Sequence, residues 1–326
     1  MRHSISTETL FLTFILSLLF TTMKLSKYIK MLLLGLISSI FIYAETKPES
    51  AKAADQNEQP HVVIVSGPPH YSPEVSMPLM ADELRKHGFK VTIVQGDGNS
   101  EKKTENVLPN IEVLAEADLA IFFMRFLKLG DEEWQPIEDY LKSGKPVMGF
   151  RTAGHAFNYP KTHKRYNWNH DFGDKVFGTP YVVHMGGKTD ITVDADNKNH
   201  PILSHITETN WISAGTLYLT RFSDKTKSEI KPLLSGFGKI GKPKTVTRSF
   251  GEVTLKLEET ADVAWTWENE WGGKVFFTSL GHPGDFTIAS FNRMWLNAVC
   301  WATGKPIPAA DTEIPVWNIK RLDKKH

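Results

Sequence analysis

The residues best suited to chemistry are three histidines that each come after a short apolar run. His155 follows residues 147–150 and a tight turn, whereas His184 and His282 stand at the ends of later runs. Because ligands of an open α/β sheet collect outside the carboxyl ends of its strands, we predict that these imidazoles act as acid–base groups. If they converge on one point, they would instead hold a divalent metal of unspecified identity, although no HxH or HExxH pair marks such a site. A structural role for each histidine, bonded to nearby backbone, is the alternative.

Two arginines and a threonine are further candidates, because two of them precede His155 in the sequence and the third follows another apolar run. Arg151 and Thr152 form the turn before His155, and Arg125 follows the run 118–124. We predict that they orient a substrate, with the arginines binding a carboxylate or sugar hydroxyls, unless each arginine pairs with a nearby acid. The turn has the position of a nucleophile elbow but contains neither Ser nor Cys, so it supplies no nucleophile.

Asp285 lies three residues after His282 in a Gly-His-Pro-Gly-Asp turn. It is a candidate for substrate binding, because a carboxylate at this position would fix the tautomer of the histidine. The simpler interpretation, which the pattern favours, is that Asp285 caps the closing helix.

Residues 158–187 show neither strand nor helix periodicity and are rich in aromatic side chains. A long irregular segment inside a compact domain is usually functional or mobile. Tyr159, Tyr166 and Trp168 would stack on the apolar face of a sugar, or else seal this insertion onto the sheet.

The elements that must position these residues follow an alternating pattern of apolar strands and amphipathic helices. Such alternation predicts an α/β fold with a flavodoxin-like, doubly wound, mostly parallel sheet. The predicted strands are 61–67, 89–94, 118–124, 147–150, 181–184, 191–194, 263–267 and 274–279, the last two forming a hairpin, and the predicted helices are 75–87, 132–143 and 286–301.

Composition and motifs exclude several classes of function. The chain has 326 residues with 38 basic and 37 acidic side chains, so no strong field favours nucleic acid. Its single cysteine, Cys300, rules out an intramolecular disulfide and a multi-cysteine metal site. The loop 66–70 contains two prolines, which lack N–H donors, and no GxGxxG follows the first strand, so we expect no nucleotide cofactor.

The N-terminal residues predict export. Met23 begins a basic stretch that is followed by an apolar run to Tyr43 and by Ala44, as in a secretory signal peptide, with residues 1–22 as an upstream extension. We expect cleavage near Ala44, release to the periplasm or outside the cell, and membrane contact only through this segment, with an uncleaved anchor as the alternative. Residues 45–60 read as a disordered linker, 61–306 as one domain, and 307–326 as a charged tail with little core material.

Five segments stand in a characteristic order: GKPVMGFRTAGHAFNYP, then VHMGG from Val183, HPI from His200, VAWTW from Val263 and GKVFFTSLGH from Gly273. Together they resemble the ThuA-like (trehalose-utilisation) family from about Val62 to Pro306. The resemblance implies a class I glutamine amidotransferase-like fold and a link to bacterial carbohydrate metabolism, often among exported proteins. Amidotransferases of this fold carry a Cys after the central strand, where this chain has Arg151 or Thr152, so glutaminase chemistry is not expected.

These observations lead to one main hypothesis and two alternatives. The main hypothesis is a carbohydrate-processing enzyme, a hydrolase or lyase, that acts on a sugar or an oxidised sugar derivative. The first alternative is a non-catalytic carbohydrate-binding or scaffold protein. The second is a pseudo-enzyme whose pocket serves a protein partner, which would leave an exposed apolar patch.

Overall fold

The computed structural model describes residues 59–97, 105–248 and 250–322. The predicted upstream extension and signal peptide, and the predicted linker up to residue 58, lie outside the described residues and stay predictions. Within the described ranges, no helix combines the length and the apolar character needed to cross a membrane.

Strands and helices alternate along the first half of the described chain and strands dominate the second half. The strands are β1 (His61–Gly67), β2 (Lys90–Gln95), β3 (Leu119–Met124), β4 (Val147–Phe150), β5 (Thr189–Val193), β6 (Asn210–Ser213), β7 (Lys231–Lys239), β8 (Lys244–Arg248), β9 (Gly251–Leu255), β10 (Glu258–Glu268) and β11 (Lys274–Thr278). The α-helices are α1 (Pro73–Lys86), α2 (Asp131–Lys142), α3 (Trp168–Asp171), α4 (Asp224–Glu229) and α5 (Ala289–Thr303).

Nine of these strands form one sheet in the order β2-β1-β3-β4-β11-β10-β7-β5-β6. The first five are mutually parallel, in the order expected of a flavodoxin-like fold. The strand β10 then runs antiparallel to β11 and β7, and β5 runs antiparallel to β7 and β6. The α/β prediction and the hairpin of β10 with β11 are confirmed, and an antiparallel half extends the parallel one.

The inner parallel strands β1, β3 and β4 are largely apolar because helices cover both faces of this part of the sheet. Every residue of β1, β3 and β4 is buried. Successive side chains of a strand point to opposite faces, so Val62 and Ile64 join one apolar cluster whereas Val63 and Val65 join the other. The sheet therefore separates two layers of core within one domain.

The helix α2 shows how local sequence fixes an element beside the site. Its first turn carries Asp131, Glu132 and Glu133 and its last turn Lys142, charges that favour the two ends of a helix dipole. A single face, Trp134, Ile137, Tyr140 and Leu141, is buried against the sheet, as the spacing of these residues predicts.

Two predicted elements differ from the structure. Residues 181–184 are not a strand; only His184 forms an isolated bridge, with Tyr218. The closing helix starts at Ala289, because a separate 3₁₀ turn occupies Pro283–Thr287 and a proline at its first position is compatible with that turn.

The segment after α5 contains more core material than the sequence indicated. The ring of Trp317 stacks on Trp295 with centroids 6.0 Å apart, and Ile319 is buried. The Nδ2 atom of Asn292 donates a hydrogen bond to the carbonyl oxygen of Pro315 at 2.8 Å. The segment is thus tied to α5, and it carries Arg321 to the carboxyl edge of the sheet, where this side chain lies over the ring of Tyr71.

His200 makes stability depend on pH. Burial, with a smaller contribution from Lys231, lowers the pKa of His200 to about 4, and its Nδ1 atom accepts a hydrogen bond from the Ile202 amide. An unfolded histidine has a pKa near 6.5, so the stabilisation is complete above about pH 6.5 and is lost as the pH falls towards 4. His200→Asn should keep the cap and remove the titration, so its unfolding free energy should fall less steeply between pH 6.5 and 4 in urea titrations.

His205 provides the control for this measurement because its side chain is exposed. His205→Asn should leave the pH slope as in the unmodified protein. An equal slope for His200→Asn and the unmodified protein would show that His200 does not cause the acid destabilisation.

Candidate functional site

The carboxyl ends of β1, β3, β4 and β11 meet at one edge of the sheet, and the residues that follow them face segments from the antiparallel half. The guanidinium carbon of Arg151 lies 4.0 Å from the ring centroid of Tyr71 and 4.8 Å from that of Tyr218. The ring of His155 lies 4.2 Å from Tyr181 and 5.9 Å from Tyr218. We call the set of rings and guanidinium in contact here the edge cluster: Tyr71, Arg151, His155, Tyr181, His184, Tyr218 and His282.

Arg151 occupies the elbow position directly after β4. Its φ of 45° lies in the left-handed region, which is uncommon for a residue with a side chain and is typical of a strained strand-to-turn junction. Its side chain is 1% exposed, and its Nη1 atom donates to the carbonyl oxygen of Ser279 at 2.9 Å. Among the described residues, the Nε and Nη2 atoms have no acceptor at hydrogen-bonding geometry, although the phenol of Tyr71 interacts with the guanidinium. The turn therefore has the geometry of a nucleophile elbow but presents a fixed positive charge.

The two tyrosines that contact Arg151 differ in their protonation behaviour. Burial raises the pKa of Tyr71, but the neighbouring guanidiniums of Arg151 and Arg321 outweigh it, so its pKa lies below the ordinary value. Burial dominates for Tyr218, and its pKa lies well above the ordinary value. Of the two phenols, Tyr71 is the one that loses its proton more easily.

His155 is held in its neutral form. Burial lowers its pKa well below the ordinary value, and the positive charges of Arg125 and Arg151 add to this effect. The ring is 6% exposed, and its Nδ1 atom is buried with no hydrogen-bond partner among the described residues. A neutral imidazole can accept a proton from a bound ligand at neutral pH, which makes His155 a candidate general base.

The other two predicted histidines differ from His155 in exposure and in partners. His184 is exposed at the rim, where its Nδ1 atom lies 2.6 Å from the hydroxyl of Tyr181. The Nδ1 atom of His282 accepts a hydrogen bond from the Gly284 amide at 3.1 Å, so a neutral His282 carries its proton on Nε2.

The three histidines belong to one cluster but do not form a set of metal ligands. His155 and His184 contact the rings of Tyr181 and Tyr218, whereas His282 joins through Tyr71, with ring centroids 5.6 Å apart. Among the residues that the structure describes, no group of three or more His, Cys, Asp or Glu side chains is placed to hold a metal ion. The geometry thus does not support the metal interpretation of His155, His184 and His282.

Asp285 is buried below the site, and its carboxylate is hydrogen-bonded to other groups of the protein. Its carboxylate accepts hydrogen bonds from the Ser213 hydroxyl at 2.6 Å and from the amides of Gly281 and His282 at 2.8 and 2.9 Å. The side chain is 0% exposed, and burial raises its pKa. These bonds fit the capping interpretation and connect β6 to the turn after β11.

An open cleft of about 630 Å³ lies beside the edge cluster. His155 and Tyr181 form part of its wall, and residues of the irregular insertion and of the β8–β9 hairpin complete it. A small void of about 20 Å³, lined by Arg151 among others, shares His155, Pro180 and Tyr181 with the cleft. The other residues that line the cleft are Phe126, Phe157, Asn158, Tyr166, Asn167, Asn169, His170, Asp171, Thr247, Arg248 and Phe250.

The remaining predicted site residues lie around this cleft without forming its wall. Thr152 is buried in the elbow turn, and its hydroxyl has no hydrogen-bond partner. Arg125 lies over the ring of Phe126 at 4.1 Å and is half-buried. Tyr159 is 2% exposed and hydrogen-bonded to Leu129, a position that fits the sealing interpretation.

Of the predicted aromatic residues, Trp168 packs against Trp134 of α2 with ring centroids 4.6 Å apart, which also fits sealing. Tyr166 is the one of the three insertion aromatics that lines the cleft. The sequence predictions missed Tyr71, Tyr181 and Tyr218 as site residues. Tyr71 could have been found, because it follows the first predicted strand, whereas Tyr218 lies in a segment with no periodic signal.

Comparisons with known proteins give the family and the fold. The sequence model of ThuA, described as trehalose utilisation, matches residues 61–302. A ThuA-like protein from Parabacteroides merdae has a crystal structure with a TM-score of 0.52 at 14% identity, covering 79% of this chain and 95% of that one. A ThuA-like protein from Bacteroides uniformis gives a TM-score of 0.48 at 15% identity, with 77% and 94% of the two chains covered. No curated protein is significantly similar in sequence.

Proposed function

Because this chain belongs to the ThuA family, described as trehalose utilisation, we propose that it is an enzyme acting on a sugar or an oxidised sugar derivative in the cleft beside His155. The observation that carries this proposal is the position of a neutral, partly unpartnered imidazole in the wall of an aromatic-rich cleft. Aromatic rings of such a cleft suit the apolar faces of a sugar, and its polar groups suit the hydroxyls.

The chemistry that this site supports is proton abstraction by His155 from a bound ligand. The elbow offers Arg151 where related folds place a nucleophile, so no covalent intermediate is proposed there. Of the described residues that line the cleft, Asp171 alone carries a carboxylate, and glycosidases of the common type need two. Arg151 and Arg125 would stabilise negative charge on the ligand, which arises when a proton is removed.

A second candidate function is sugar binding without turnover. It is favoured by the strongly lowered pKa of His155, because a weak base removes protons less effectively. The two candidates share the cleft and differ only in whether the ligand is consumed.

We further propose that the protein works outside the cytoplasm. The proposal rests on the basic and apolar residues between Met23 and Ala44. Mass spectrometry of the N-terminus of the protein recovered from its native host decides it, since an intact sequence before Ala44 on a cytoplasmic protein would contradict export.

The test combines a substrate screen with a variant in which a larger side chain fills part of the cleft. Mono- and disaccharides and their oxidised derivatives are incubated with the protein and followed by NMR. Asn158 is exposed and lines the cleft, so Asn158→Trp should fill part of it and weaken sugar binding about tenfold or more, since a tenfold loss corresponds to only 1.4 kcal/mol. The melting temperature should stay unchanged.

Asn318 serves as the matched control because it is exposed and does not line the cleft. Asn318→Trp should bind and convert sugars like the unmodified protein. Binding without conversion would favour the second candidate, and the absence of any sugar binding would refute both.

A further inference from the structure

Arg151 holds two hydrogen-bond donors that no acceptor of the described residues meets at good geometry, although the phenol of Tyr71 lies close enough to interact with the guanidinium. A guanidinium buried to 1% exposure is costly unless a partner compensates its charge and its N–H groups. Only Nη1 has an acceptor, the Ser279 carbonyl, whereas Nε and Nη2 have none. Such an arrangement is expected where a ligand supplies the missing acceptors.

The two unsatisfied atoms form one edge of the guanidinium plane. In arginine, the N–H of Nε and one N–H of Nη2 point in the same direction, at a spacing that matches the two oxygens of a carboxylate. Gly215 packs closely against the guanidinium, because a Cβ placed on it would lie 2.6 Å from Nη1 and 3.1 Å from Nη2. The ring contacts with Tyr71 and Tyr218 further restrict the guanidinium. The Nε/Nη2 edge is therefore fixed in orientation before a ligand arrives.

The charges around Arg151 also favour an anion. The groups that act on His155 beside it are Arg125, His70 and His184, and Arg321 lies over Tyr71. The carboxylate that acts on Arg151 is that of Asp285, and it is already bonded to one hydroxyl and two amides. Among the described residues, no carboxylate forms an ion pair with Arg151, so Asp285 is the nearby acid and its oxygens are already engaged.

We propose that Arg151 binds the carboxylate of a sugar acid side-on through Nε and Nη2, so that the ligand of the cleft is an anionic rather than a neutral carbohydrate. This inference rests on the proposed function, because the cleft beside Arg151 must accept the sugar ring. The void of about 20 Å³ lined by Arg151 holds about one oxygen atom. The second carboxylate oxygen then requires a shift of Tyr181 or His155, which line both this void and the cleft.

The experiment compares ligands that differ in charge but not in shape. Binding of glucuronate, galacturonate and gluconate to the full chain is measured by calorimetry at neutral pH, each beside its uncharged amide. At least one acid should bind about 100-fold more tightly than its amide, since each hydrogen bond to a charged group contributes about 1.5–3 kcal/mol. Arg151→Lys keeps the charge but loses the two-pronged geometry, so it should reduce this preference to below about tenfold.

Arg85→Gln is the matched control, because it removes a cation that is exposed and lines neither the cleft nor the void. It should change the preference by less than about threefold, as an exposed charge contributes little. Equal binding of every acid and its amide to the unmodified protein would overturn the inference. The Nε/Nη2 edge of Arg151 would then bind a buried water molecule and no carboxylate. If neutral sugars bind in that case, the proposed function survives; if no sugar of either kind binds, both fail. The comparison of acid and amide needs no variant, so it tests the inference even if Arg151→Lys does not fold.

Discussion

His155→Ala is expected to lower the turnover of a sugar substrate about a thousandfold while its binding changes little, because a positioned general base contributes about 10²–10⁴ in rate. The ring of His155 lines the cleft and its pKa is lowered by burial and by neighbouring arginines. The neutral form that accepts a proton therefore dominates at neutral pH. Steady-state kinetics with the substrate found in the screen should show the loss in kcat and not in KM.

The pH dependence of the unmodified enzyme provides a second readout. A base is active when it is deprotonated, and the pKa of His155 lies well below 6.5. The activity should therefore persist below pH 6.5 and fall only at more acidic pH, where the ring becomes protonated. An acid limb of kcat/KM at or above pH 6.5 would assign the base to another group.

His205→Asn is the matched histidine control, since His205 is exposed and does not line the cleft. It should retain full turnover. If His155→Ala also retains full turnover with an unchanged melting temperature, His155 is not the base and the role passes to another group of the edge cluster, of which Tyr71 has the lowered phenol pKa.

The centre of the parallel half of the sheet was predictable because β1, β3 and β4 are nearly continuous apolar runs. The prediction for the first and fourth strands agrees with β1 and β4 at every residue. The sequence of β7, KPLLSGFGK, instead contains a proline and two glycines, so it gives no strand signal by itself. Its pairing with β10 and β5 stabilises it, and such long-range pairing cannot be read from one segment.

The difference between the parallel and antiparallel halves of the sheet also explains which site residues could be predicted from the sequence. Arg151, Thr152 and His155 follow a recognisable strand, and the structure brings Arg151 and His155 into the edge cluster. Nothing local in the sequence indicated that Arg248, from the β8–β9 hairpin, would line the cleft or that Tyr218 would contact His155. Tyr159 and Trp168 were judged by residue type, but whether an aromatic side chain meets a ligand or the core depends on packing that type alone does not determine.

Gly173→Ala is expected to destabilise the fold by about 3 kcal/mol, because this glycine is where the irregular insertion meets the elbow. A Cβ at Gly173 would lie 2.5 Å from the carbonyl oxygen of Gly154 and 2.8 Å from that of Thr179. Both atoms belong to backbone, and Gly173 itself accepts a hydrogen bond from the Thr179 amide. Relief therefore requires the insertion to move away from the turn that holds His155. Urea unfolding should give the loss in free energy, and turnover should fall with it.

Gly186 provides the matched control in the same irregular region. A Cβ there would meet its nearest atom, the Cγ2 of Ile240, at 3.7 Å, which is ordinary van der Waals contact. Gly186→Ala should therefore leave stability and turnover close to those of the unmodified protein. Equal stability of the two alanine variants would mean that the backbone of the insertion can shift at Gly173 at little cost. The contact between Gly173 and Gly154 would then not fix the elbow. A selective loss of stability and turnover for Gly173→Ala would instead indicate that the insertion positions His155, since the new Cβ presses on the carbonyl oxygen of Gly154, the residue before it.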